Sequence, residues 1–201
     1  MNQRGRLAPT PTGFLHVGHA YTFCIAAERA AGKLILRVED LDATRCNPQF
    51  TTAAIEDLRW LGLSWTEGPD GEGDHGPYFQ SQRSDFYLQA WQRLAQQKNI
   101  YPSPQSRRDL ETAAFAPHVS NEGESVFPKN YRPNEWVVPE HPGRVPWRFR
   151  VPDGKTIQFI DKNFGLVQRV AGTDFGDFVV WRRDNLAAYE LAVVVDDYHM
   201  E

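Results

Sequence analysis

The sequence predicts an α/β fold built on a parallel sheet with helices on both faces and an irregular or β-rich insertion, and three observations carry that reading. The first forty residues run strand, Gly/Pro loop, helix, strand, the unit that builds a parallel sheet through a right-handed crossover. Residues 117–146 then lose periodicity and turn to Pro, Asn, Glu and Gly, and the chain beyond them reads as short strands separated by turn residues. The 201 residues carry 22 Lys and Arg against 26 Asp and Glu, a formal charge of −4, with 41% hydrophobic and 12% aromatic residues. This composition excludes a disordered chain and a strongly basic nucleic-acid module; RNA would have to meet a local patch.

Each element has a local cause. Residues 6–8 form a short strand stopped by Pro9 and Pro11. A helix over 17–31 follows from Ala20, Phe23, Cys24, Ala27 and Ala31 at helical spacing, with Gly32 as the stop and Cys24 expected in the core. Residues 33–38 are a buried strand that ends in the acids Glu39, Asp40 and Asp42. Asn47 caps a second helix with Pro48 at its first position, Ile55, Leu58 and Leu61 on one face and Gly62 past its end. Residues 67–76 read as an aperiodic Gly/Asp loop, and 83–97 as a third helix with Tyr87, Ala90, Trp91 and Leu94 inward. Ser106-Arg107-Arg108-Asp109 matches the capping box of a short helix ending near Ala116. Strands are expected over 147–151, 156–160, 165–170 and 178–181, with turns at Asp153-Gly154 and Asp184-Asn185. Residues 191–195 are apolar throughout, and periodicity leaves them either strand or buried helix.

No apolar run approaches the roughly 20 residues that cross a bilayer, and the opening residues lack a signal-peptide stretch, so a cytoplasmic address and no membrane partner are expected. The two cysteines, Cys24 and Cys46, are too few for a disulfide framework and read as reduced thiols.

Chemistry concentrates at Thr10-Pro-Thr-Gly-Phe-Leu-His16-Val-Gly18-His19, where a strand turns into a helix. Exposed N–H groups and the positive helix end favour an anion there, such as a triphosphate. Gly18 lets the backbone approach a nucleotide, and His16 and His19 can donate to phosphate oxygens as charge builds. The bland alternative is two surface histidines at a helix start. Arg6 on the first strand and Glu39 at the end of the next converge on the same sheet edge, and an amino acid needs such a pair, a guanidinium for carboxylate and a carboxylate for ammonium. The bland alternative for these two is that they pair with each other or with surface partners.

Arg6-Leu-Ala-Pro-Thr-Pro-Thr-Gly-Phe-Leu-His-Val-Gly-His19 and Leu36-Arg-Val-Glu-Asp-Leu-Asp-Ala-Thr-Arg45 resemble the catalytic domain of class I glutamyl-tRNA synthetases, and more closely their short relatives, the glutamyl-Q tRNA(Asp) synthetases. The likeness continues through Asp57-Leu-Arg-Trp-Leu-Gly-Leu63, Pro77-Tyr-Phe-Gln-Ser-Gln-Arg83, Asp177-Phe-Val-Val-Trp-Arg-Arg183 and Tyr189-Glu-Leu-Ala-Val-Val-Val-Asp-Asp197; Trp147-Arg-Phe-Arg-Val-Pro-Asp-Gly154 looks more like the short relatives.

The resemblance implies a Rossmann-like, HIGH-type fold in three segments: residues 1–100 as the first half of the nucleotide-binding catalytic domain, 101–150 as the irregular insertion, and 151–201 as a β-rich return to the catalytic domain. It makes 189–198 a short helix. It implies His16, Gly18 and His19 as the ATP signature with the two histidines catalytic, Arg6, Ala8 and Thr10 as lining of a glutamate pocket, Glu39 for the α-amino group and Tyr189 as its cover. Asp196 and Asp197 match a family motif and are given no catalytic role. ATP, Mg2+, L-glutamate and a tRNA, tRNA(Asp) first, are the implied partners of a monomer.

Three departures matter, one being a first helix about three residues, nearly a full turn, shorter than is usual between the signature histidine and Glu39. The family's zinc ligands correspond to Ser103, Gln105, Phe127 and Tyr131, which lack thiolate and imidazole, so no zinc and no metal-ligating side chains are expected; His118 and His141 read as surface residues. The family pattern continues past Glu201 with a substrate-binding arginine and an ATP-closing loop, so this chain reads as C-terminally truncated. The competing readings are a fragment of an ordinary glutamyl-tRNA synthetase and a catalytically incomplete remnant that binds nucleotide or a partner. Arg107, Arg108, Arg144, Arg148, Arg150, Arg182 and Arg183 form a candidate basic stripe for RNA, against the commoner solvated face.

Overall fold

Two short parallel strands open the fold in a computed structural model that describes residues 4–30, 32–71, 73–105 and 126–200. The chain divides into two units, Met1–Tyr87 with Ala192–Glu201, and Leu88–Leu191.

In the first unit, β1 (Gly5–Leu7) pairs with β2 (Leu34–Leu36) in register Gly5↔Leu34 to Leu7↔Leu36. The N–H groups of Arg37 and Glu39 extend that side of β2 to the carbonyls of Leu7 and Pro9. The other edge of β2 faces a third segment: Leu36 N donates to Glu67 O and Thr66 N to Leu34 O, and further along Val38 exchanges bonds with Tyr78 and Gln80. β2 is therefore central, flanked on both sides by parallel neighbours. Its side chains alternate, so Leu34, Leu36 and Val38 share one face and Ile35, Arg37 and Glu39 the other. The first face packs Leu34 and Leu36 with Leu7, Ala30 and Leu58, and the second packs Ile35 with Tyr78 and Met200.

The crossover helix α1 (Val17–Arg29) approaches β1 closely enough that a Cβ on Gly5 would stand 2.6 Å from the Ala30 Cβ. Asn47 Oδ1 accepts from Gln49 N at 2.9 Å and Pro48 begins α2 (Pro48–Trp60), with Gly62 at φ +78° past its end. α3 (Ser84–Gln96) carries Tyr87, Trp91 and Ala95 as buried positions.

The second unit holds an antiparallel sheet in the order β3 (Ile100–Pro102), β4 (Trp147–Phe149), β7 (Phe178–Trp181). Trp147 meets Trp91 edge-on at 4.9 Å between ring centres, and both are buried. A separate hairpin pairs β5 (Thr156–Asp161) with β6 (Gly165–Val170). α4 (Tyr189–His199) resolves the ambiguous apolar run as helix, as the family resemblance implied.

The structure corrects several expectations. The strand expected at 6–8 is Gly5–Leu7, the one at 33–38 keeps regular pairing only over Leu34–Leu36, and the one at 147–151 ends at Phe149, where Arg150 N and Val151 N turn to Asn99 O and the Asp177 carboxylate. Cys24 is exposed, not core: α1 turns Phe23, Ala26 and Ala27 to the cluster, so Cys24 falls beside the stripe. Residues 67–76 are more than a loop, because Glu67 pairs with β2 and is buried. The turn of the β5–β6 hairpin escaped the sequence reading; Asp161 Oδ1 accepts from Asn163 N and Phe164 N, and Gly165 takes φ +75°. The capping-box segment 106–116, Ala31 and His118 lie outside the described residues.

Candidate functional site

The loop after β1 reaches α1 through a histidine cap. His16 is the N-cap with extended backbone (φ −130°, ψ 173°), a place usually taken by Ser, Thr, Asp or Asn. Its Nδ1 accepts from Gly18 N at 3.1 Å, and His19 Nδ1 accepts from His16 N at 3.3 Å. An imidazole that accepts at Nδ1 carries its proton on Nε2, so each ring keeps one N–H donor away from the helix end. The rings stack at 3.8 Å between centres. Burial, and then the neighbouring His16, hold the His19 imidazole below the usual histidine range. Gly18 has a steric reason on the spot: a Cβ there would stand 3.0 Å from His16 Cε1 and 3.1 Å from its Nδ1.

Arg6 and Glu39 stand near the carboxyl ends of adjacent parallel strands, and they do not pair with each other. Glu39 Oε1 accepts from Arg37 Nη2 at 2.9 Å, Arg37 Nη1 donates to Asp197 Oδ1 at 2.8 Å, and Asp197 Oδ2 meets Arg6 Nη1 at 3.0 Å. Glu39 N donates to Pro9 O, which ties its backbone to the loop that leads to His16. Ala8 is half-buried and Thr10 exposed in that loop. Burial raises the Glu39 carboxyl above its ordinary range, against the opposing pull of Arg37 and, more weakly, Arg6. Burial also works against the Arg37 charge, but its bonds to Asp197 and Glu39 prevail and its pKa is raised.

Behind these lies Asp196, fully buried, which accepts from Arg83 Nε at 2.6 Å, Gln80 Nε2 at 2.8 Å and Tyr87 Oη at 3.0 Å. Burial, then the Asp196 charge and hydrogen bond, push the Tyr87 phenol far above its usual range. Sequence reasoning missed Arg37, Arg83 and Asp196 as a network. One signal was present: an arginine within an otherwise apolar strand has to find buried carboxylates. Tyr189, at the start of α4, is exposed and belongs to the second unit.

The four positions that the family resemblance sets against zinc ligands have other partners in the fold. Ser103 Oγ donates to Gln105 Oε1 and accepts from Arg148 Nε, while Phe127 lies under the Arg148 guanidinium at 4.2 Å and near Tyr131. The basic stripe is narrowed as well. Arg148 donates to Asp177 O and Arg150 to Pro133 O, both half-buried, whereas Arg144, Arg182 and Arg183 line a cleft of about 1040 Å³ with His141 and Asp184. Arg107 and Arg108 lie outside the described residues.

A parallel α/β half-sheet, a helix start capped by His-x-Gly-His and opposite charges at two strand ends together define a Rossmann-like catalytic domain of the class I synthetase type. Residues 3–201 match the family of class I tRNA synthetases for E and Q, catalytic domain, and the chain belongs to that family of ligases. It is 47% identical over 96% of its length to a glutamyl-Q tRNA(Asp) synthetase of Symbiobacterium thermophilum and 44% identical over 98% to one of Nitratidesulfovibrio vulgaris. A glutamate–tRNA ligase of Symbiobacterium thermophilum is 37% identical over the full chain. The crystal structure of a glutamate tRNA ligase from Elizabethkingia meningosepticum, in complex with its amino acid, superposes with a TM-score of 0.77 at 26% identity, covering all of this chain and 42% of that one. The chain spans 61% and 62% of the two glutamyl-Q relatives. Among the described residues no helix is long and apolar enough to cross a membrane.

Proposed function

We propose that this chain activates L-glutamate with ATP to glutamyl-adenylate, and that the glutamyl group then passes to the queuosine base of tRNA(Asp). Glu39 receives the α-ammonium group, Arg6 a carboxylate, and Ala8 and Thr10 line the pocket, while His16, Gly18 and His19 meet ATP. The observation that carries the reading is the fixed pair of opposite charges, Glu39 and Arg6, joined through Arg37 and Asp197 beside the histidine-capped helix start.

A glutamate α-carboxylate oxygen attacks the α-phosphorus of ATP, the bond to the bridging oxygen breaks, and pyrophosphate leaves with that electron pair. No protein nucleophile is required, so catalysis is orientation, worth up to about 7–11 kcal/mol in favourable cases, plus charge stabilisation. The Nε2–H groups of His16 and His19 donate to phosphate oxygens as their charge grows. Mg2+ would supply charge neutralisation on the substrate phosphates when bound. The protein acts as a cytoplasmic monomer in this reading.

Similarity of 47% and 44% to glutamyl-Q enzymes, against 38% and 37% to glutamate–tRNA ligases, favours queuosine over a tRNA 3′ end as acceptor. Glutamate-dependent exchange of pyrophosphate into ATP tests the first step, and its absence overturns the proposal. Glutamylation of tRNA(Asp) with and without queuosine tests the second; a product on tRNA(Glu) overturns the acceptor and leaves the activation step standing.

A further inference from the structure

We propose that Arg37 is the positioning residue of the amino-acid pocket: one buried guanidinium that, by holding Glu39 directly and Arg6 through Asp197, sets the spacing of the two charges that meet an α-amino acid's ammonium and carboxylate. This rests on the amino-acid-activation reading above.

Arg37 and Glu39 lie two residues apart in the extended segment that follows β2, where their N–H groups bond to Leu7 O and Pro9 O, and so share a face. The Arg37 side chain is fully buried, and its two terminal nitrogens go to carboxylates on different elements, Glu39 after β2 and Asp197 on α4. Its Nε makes no hydrogen bond and lies 3.7 Å from Asp196 Oδ2. The result is a line of alternating charges, Glu39, Arg37, Asp197, Arg6, whose side-chain exposures are 8%, 0%, 37% and 49%. The fixed point is interior and the two groups that end the line differ in access, with Arg6 reaching solvent. Burying a guanidinium is costly, and at a position flanked by Leu36 and Val38 an apolar side chain would avoid that cost. What the guanidinium adds is geometry: its planar fork spans two carboxylates at once, which a lysine ammonium cannot do with the same rigidity.

The same contact governs charge. Burial favours the neutral form of Glu39, and a neutral carboxyl cannot hold an ammonium group; Arg37 opposes that shift most strongly, Arg6 helps and Asp196 works against them. Asp197, on the far side of Arg37, competes for the same guanidinium.

The test uses Arg37→Lys, which keeps the charge, and Asp197→Asn, which keeps the shape and changes a partly exposed group. Pyrophosphate exchange gives KM for glutamate and for ATP separately between about pH 5 and 8, with folding followed by circular dichroism. Both variants are expected to raise the glutamate KM, by about ten-fold for Arg37→Lys and about five-fold for Asp197→Asn, with the ATP KM within about two-fold of the original. Arg37→Lys also moves the acid limb of kcat/KM for glutamate to higher pH. Should Arg37→Lys fail to fold, Asp197→Asn decides alone. Folded variants with an unchanged glutamate KM, or with both KM values rising together, overturn the role of Arg37. Absence of glutamate-dependent exchange by the unsubstituted chain overturns the activation reading itself, and the two failures are told apart by that control.

Discussion

Removal of one carboxylate, Asp196→Ala, is expected to loosen the parallel sheet of the first unit. Asp196 is fully buried and accepts from Arg83, Gln80 and Tyr87, with Arg37 Nε at 3.7 Å. Its loss leaves two buried guanidinium groups short of a counter-charge, a change that usually costs about 3–5 kcal/mol. Both arginines keep other partners: Arg83 Nη1 still donates to His75 O and Pro77 O, and Arg37 still meets Glu39 and Asp197. The lower end, about 3 kcal/mol, is therefore the better figure, and it corresponds to roughly a hundred-fold change in an opening equilibrium. Amide hydrogen exchange reads it where it matters, at Leu36 and Val38, whose N–H groups bond to Glu67 O and Tyr78 O inside the sheet. Exchange at these two amides is expected to accelerate about a hundred-fold, while Tyr87→Phe, which deletes one hydroxyl and no charge, costs about 1 kcal/mol. An acceleration below about ten-fold in Asp196→Ala would refute the claim that buried charge pairing holds this sheet.

Gly5→Ala places a methyl group 2.6 Å from the Ala30 Cβ, and the forced separation of β1 from α1 should lower stability by about 1–3 kcal/mol, read as a shift in the urea midpoint without a change in slope. Gly18→Ala crowds the His16 ring at 3.0 Å; the cap bond between Gly18 N and His16 Nδ1 should weaken, visible as a changed His16 ring nitrogen shift in NMR, with a fall in the exchange rate larger than any change in melting temperature. Glu67 is held below its ordinary pKa of 4.5: burial opposes this, but the bonds from Tyr78 Oη at 2.6 Å and His75 Nδ1 at 2.8 Å prevail. A depressed folded-state carboxyl contributes stability above its unfolded pKa and loses it as pH falls, so Tyr78→Phe should cost stability at neutral pH and narrow the gap to the original protein below about pH 4.5, followed by thermal melts across that range. Burial and the Glu67 bond push the Tyr78 phenol up to about 12, so its ultraviolet titration should be absent at the pH where exposed tyrosines ionise.

Local chemistry made the caps and helices legible in the sequence. Asn47-Pro48 and Gly62 bracket α2 because capping and a positive φ are decided within a few residues. The His-x-Gly-His segment was readable as a helix start for the same reason, although the steric demand of the His16 ring on Gly18 needed coordinates. Cys24 was misread because a helix rich in alanine offers two overlapping apolar stripes, and only the partner surface selects Phe23, Ala26 and Ala27. Glu67 looked like loop because one residue of parallel pairing leaves no period. Arg6 and Glu39 were singled out from the sequence, but the carboxylate and guanidinium between them were not: Arg37 and Asp197 are 160 residues apart, and no local pattern records such a meeting.

That separation also bears on synthesis. A nascent chain that has released β1, α1 and β2 from the ribosome still lacks Asp196 and Asp197, so the cations of Arg37 and Arg83 have no carboxylate from α4 until that helix emerges. Closing so long a loop is slow, and an unfinished sheet edge is vulnerable while it waits. Residues of β1 and β2 are thus made well before the carboxylates that lock them, and emergence of α4 is the event that supplies those partners.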